Sequence, residues 1–312
     1  MVWSSIPVPA SEVALAVAGV PMLVASNAVE YTGQADPIWS IPATFTGSDI
    51  TDPAAPTRAV RDRHLHVRSR ALQQTPAAFT VSLVMRLDPA KPFDTFFLAG
   101  HNFNSIASSG SVFLELQIAD DPTFAVALAT IATHTVADNR RLTRLTLFHT
   151  GSSALRYSGV AYARLRISAI GVGATFTSMP SIGEIVLGLR RQLERNPTVP
   201  YDNNELASDI TTFRSKSGIV SNYERFVAQR RVAATFSTDT TSNLNTINAW
   251  FSDAGYGLRP GLWIEVLEGG FFVQSYWMRS PSALTLPMQG PFERTWDLEL
   301  EEIAPFLLTE PL

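Results

Sequence analysis

Five histidines, at 64, 66, 101, 134 and 149, carry whatever imidazole chemistry this chain has, because cysteine is absent and thiolate nucleophiles and cysteine metal sites go with it. His101 stands in Phe97-Leu-Ala-Gly-His-Asn102, beside a turn residue and an amide, where a general base or metal ligand could sit at the end of a strand. Catalysis there needs a partner. Asp94, Asp120, Asp121 and Ser105 are available, but no serine stands in a nucleophile-elbow setting. The competing reading is structural: Gly100-His101-Asn102 turns the chain out of a strand, with the two polar side chains bonding loop backbone.

Other clusters give no stronger chemistry. His64 and His66 would share one face of a strand, a spacing that suits a metal, yet Arg61, Arg63, Arg68 and Arg70 flank them and oppose a cation. Asp120-Asp121-Pro122 lacks the dense Asp/Asn loop of a calcium site and reads as a turn. Nothing in the spacing of Asp88, Asp94, Asp120 or Glu184 selects the facing carboxylates of a glycoside hydrolase. Gly171-Val-Gly173 is followed neither by a helix pattern nor by further phosphate-binding glycines. The expectation is a non-enzymatic chain with no catalytic residue, metal or cofactor.

The elements that would position these residues read as β-strands. Phe79–Leu87, Phe96–Ala99, Ser111–Ile118, Leu142–Phe148, Ala161–Ile167 and Ser181–Gly188 are short and β-branched or alternating, with no helical period between them. Tyr162, Arg164 and Arg166 alternate with Ala163, Leu165 and Ile167, which places the arginines on a solvent or partner face. Residues 58–190 are therefore expected to form a β-sandwich, with Arg63–Arg70 as a strand carrying a charged face. Residues 1–57, rich in Pro, Ala, Ser and Thr, read as an extended arm or first strands.

Residues 191–222 are polar turn formers and read as an extended linker. From 223 to 312 the pattern predicts a small sheet with one helix. Ser242-Asn243 caps it, Leu244, Ile247 and Phe251 make its apolar stripe, and Gly255 ends it. Trp296, Leu298 and Leu300 alternate with Asp297, Glu299 and Glu301 on a closing strand, and Trp263, Trp277 and Trp296 are expected in the core.

Charge and hydropathy exclude some partners. The formal net charge is −4, so no global basic footprint for nucleic acid exists, and no nucleic-acid specificity is expected. The apolar run Val13–Ala28 is interrupted by Gly19, Pro21 and Asn27 and no Lys or Arg precedes Arg58, so neither a secretory leader nor a membrane span is expected.

Taken in order, the Phe97-Leu-Ala-Gly-His-Asn102 corner, the strand Val112–Ile118 with its acidic turn Asp120-Asp121, Tyr162–Ile167 and Ile182-Gly-Glu-Ile-Val-Leu-Gly188 resemble the galactose-binding-like jelly roll of tailed-phage virion proteins. The resemblance spans about residues 75–190. The C-terminal sheet with one helix is similar to tail-tube-like modules, a likeness of fold alone. The resemblance implies a structural protein of a phage tail, at the tail tip or baseplate, repeated in a symmetric ring and contacting other tail proteins. It would be assembled in the host cytoplasm and located in the virion. Arg61, Arg63 and Arg68 on one face, and Glu299 and Glu301 on another, are the candidate contacts between copies. Two alternatives remain open: a carbohydrate-binding adhesion module displaying Phe103 and Tyr157 to a host-surface glycan, and a head decoration or fibre protein.

Overall fold

The structure is a computed structural model. It describes residues 4–7, 22–29, 36–41, 49–61, 68–72, 80–103, 106–126, 128–136, 142–146, 155–192, 198–206, 210–214, 220–224, 229–238, 241–255, 259–266, 273–280 and 294–302. The strands are β1 (Ser4–Pro7), β2 (Met22–Val24), β3 (Ile38–Ser40), β4 (Ser69–Arg70), β5 (Thr80–Arg86), β6 (Thr95–Ala99) and β7 (Ser111–Ala119). They continue with β8 (Ala129–Val136), β9 (Leu142–Thr146), β10 (Leu155–Ser158), β11 (Tyr162–Ile170), β12 (Ser181–Ile182), β13 (Glu184–Gly188) and β14 (Arg190–Gln192). Then come β15 (Thr198–Leu206), β16 (Ile210–Arg214), β17 (Val220–Glu224), β18 (Gln229–Thr238), helix α1 (Thr241–Asp253), β19 (Gly261–Val266), β20 (Val273–Arg279) and β21 (Arg294–Glu302). The protein is mainly β, with several antiparallel sheets and a single α-helix among the described residues.

Two compact units divide the chain: Met1–Val13 with Ser26–Arg190, and Ala14–Ala25 with Arg191–Leu312. In the first, a five-stranded sheet of order β3-β5-β11-β7-β8 and a three-stranded sheet of order β13-β6-β9 contribute to one apolar core. Leu83 and Met85, Leu114 and Leu116, and Leu165 and Ile167 come from the larger sheet; Phe96, Leu98, Ile185 and Leu187 come from the smaller one. Burial alternates along Ser111–Leu116 of β7, whereas β5 is buried at every residue from Val81 to Met85 because Val84, on its other face, packs with Ala119 and Phe124. Thr95–Ala99 and Glu184–Gly188 are likewise buried at every residue, which is why those stretches read as continuous apolar runs.

The second unit carries a seven-stranded sheet of order β14-β2-β19-β20-β21-β18-β15. Trp296, Leu298 and Leu300 are buried with Phe236, Trp263, Ile247 and Trp250, and the rings of Phe236 and Trp296, opposite each other in the ladder, stack at 4.5 Å. Helix α1 begins at Thr241, so Ser242 and Asn243 lie within its first turn and are not its cap, and it ends at Asp253, just before Gly255, whose φ of 59° is the left-handed conformation that follows helix ends. The side chain of Trp277 lies outside the described residues.

Residues 1–57, expected as an arm or first strands, contribute strands: β2 is an interior strand of the seven-stranded sheet, and β3 joins the five-stranded one. Of the strand expected over Arg63–Arg70, residues 63–67 lie outside the described residues and Ser69–Arg70 is a strand, preceded by a 3-10 turn at Thr57–Arg61. Residues 191–222, read as a linker, hold β15, β16 and β17; β15 pairs with β18, and β16 pairs with β17. Their sequences mix turn-forming Asn, Asp and Ser with the β-branched residues, which is why the stretch reads as a connection.

Candidate functional site

The corner after β6 is built around Gly100, whose φ of 67° turns the chain away from the sheet. His101 is buried there, its Nδ1 accepts a long hydrogen bond of 3.4 Å from the Phe103 backbone N–H, and its ring lies against Phe103 at 4.5 Å. Asn102 uses both ends of its amide: Nδ2 donates to the Met179 carbonyl at 3.1 Å and Oδ1 accepts from the Ser181 N–H at 2.9 Å. Gly183 N–H donates to the Ala99 carbonyl at 3.0 Å. These bonds tie the corner to the segment Met179–Gly183 that leads through β12 into β13, so the residues that could have done chemistry hold a bend.

Two more buried polar groups repeat this logic. Asn27 Nδ2 donates to the Ile185 carbonyl at 2.8 Å, while Oδ1 accepts from the N–H groups of Leu187 at 3.0 Å and Val29 at 3.1 Å. The side chain imitates a strand and pairs β13 along its free edge. Asp94, also buried, accepts from Arg190 N–H at 2.8 Å, Thr95 Oγ1 at 3.1 Å and the Arg156 guanidinium at 3.2 and 3.3 Å. Every donor around that carboxylate stabilises its charge in place.

The outer face of the five-stranded sheet carries the most extended polar network. Gln117 Nε2 donates to Glu115 Oε1 at 2.7 Å and to Thr130 Oγ1 at 3.1 Å, Thr130 donates to Glu115 at 2.9 Å, and Arg166 donates to Glu115 Oε2 at 2.7 Å. Arg164 donates to Gln117 and lies 4.5 Å from the centre of the Phe124 ring. The expectation that Arg164 lies on a solvent or partner face is corrected: its side chain is buried. Phe124 folds back from the loop after β7 with a φ of 57° and covers it, together with Val84 and Ala119. Burial, and then the neighbouring Arg166, pull the Arg164 pKa down, against the opposing effect of Glu115.

Asp121 settles the acidic turn. Its carboxylate accepts from Thr123 Oγ1, from Val126 N–H at 2.6 Å, from Thr123 N–H at 2.8 Å and from Ala125 N–H at 3.4 Å, and these donors bring its pKa down to about 2. A carboxylate so surrounded by N–H groups is the anchor of a turn. Among the described residues, no group of three or more His, Asp or Glu side chains is placed to hold a metal ion. No helix among them is long and apolar enough to cross a membrane.

The residues marked out as contacts have these places. Arg61 pairs with Asp36, Arg63 lies outside the described residues, and Arg68 is half-buried. Glu299 is 3.2 Å from Arg231 on the adjacent strand, and Glu301 stands opposite Arg231 in the ladder. Hence Arg61 and Glu299 each have an ion-pair partner within the chain. Phe103 and Tyr157, the candidate glycan platforms, are both buried, Phe103 against His101 and Tyr157 against Phe93 at 5.7 Å. Neither offers a ring face to a sugar. Burial also raises the Tyr157 pKa.

Sequence reasoning missed Asn27, Gln117 and Thr130. The β-branched residues Ile131, Thr133 and Thr135 at alternate positions could have located β8, but no local signal marks Asn27. No protein-family model matches the sequence, and no curated protein matches it.

Proposed function

We propose that this chain is a non-enzymatic structural component of a bacteriophage tail, placed at the tail tip or baseplate and repeated in a symmetric ring, with other tail proteins as its neighbours. In this reading the larger unit is a galactose-binding-like jelly roll and the smaller one a tail-tube-like module, assembled in the host cytoplasm and carried in the virion. The observation that supports it most is the meeting of the motif pieces. The Gly100-His101-Asn102 corner is bonded to Met179 and Ser181, where the chain enters β12 and then β13, and β7 with its Asp121 turn lies beside β11. The ordered motifs thus serve a shared architecture, and their polar side chains are spent on bends and turns.

Mass spectrometry of gradient-purified particles, compared with the soluble fraction of the same lysate, tests the reading. Peptides of this chain should co-purify with tail proteins in a fixed ratio. Recovery only from the soluble fraction would overturn it.

A further inference from the structure

We draw no further inference here: the strongest candidate, the polar side-chain network of Glu115, Gln117, Thr130 and Arg166 on the outer face of the five-stranded sheet, is hydrogen-bonded within itself, and nothing in the structure shows what covers it.

Discussion

Asn27 and Ile185 are 158 residues apart in sequence and 2.8 Å apart in the fold, joined by a side-chain amide that donates to a strand carbonyl. The same amide receives the N–H of Leu187, so one side chain extends the β13-β6-β9 sheet by one strand position. Asn102 does the same for Met179 and Ser181. Segment 179–187 is therefore held from both ends by asparagine side chains.

Replacing Asn27 with Ala leaves the Ile185 carbonyl and the N–H groups of Leu187 and Val29 buried without this partner. The expected loss is about 3 kcal/mol or more of unfolding free energy, seen as a lower urea midpoint with an unchanged slope. Asn102→Ala, at a half-buried site that water can reach, should cost less, about 1–2 kcal/mol. Equal urea midpoints for wild type and N27A would contradict this account of the sheet edge.

Much of this organisation is legible in the sequence where one element buries one face. Trp296, Leu298 and Leu300 alternate because β21 packs on a single core, and Ile247, Trp250 and Gly255 mark α1 by period and cap. His101-Asn102 is legible as a corner for the same local reason, a glycine followed by polar turn formers. Legibility fails where a distant segment decides the environment. Arg164 alternates like an exposed residue, and only Phe124, arriving from a loop after another strand, buries it. Likewise β16 and β17 pair with each other in stretches rich in Thr, Ser and Asn, which carry no strong local strand signal.

Gly110 and Gly173 should respond differently to alanine although both have positive φ. Gly173→Ala meets nothing within 4 Å, so only the left-handed backbone penalises it, by about 1 kcal/mol. Gly110→Ala adds a collision with the Ile170 carbonyl and must displace the end of β11, at about 3 kcal/mol or more. Thermal unfolding of the two variants checks the order; equal shifts would show that the β7–β11 crossing is looser than described.

The Asp121 carboxyl has its folded-state pKa depressed from 3.8 to about 2. A depressed carboxyl pKa contributes stability that is fully present above pH 3.8 and is lost as pH falls through 2. An NMR titration should place the Asp121 midpoint near 2, with the amide of Val126 moving in step because it donates to that carboxylate. A midpoint near 3.8 would show that the turn is not built on this anion.

The tail assignment is tested most directly by cryo-electron microscopy of intact particles, with the chain located by its two-unit density or by an epitope tag. The account predicts a ring of copies at the distal end of the tail. Particles with a complete tail and no density for the chain, alongside abundant chain in the soluble fraction, would contradict it.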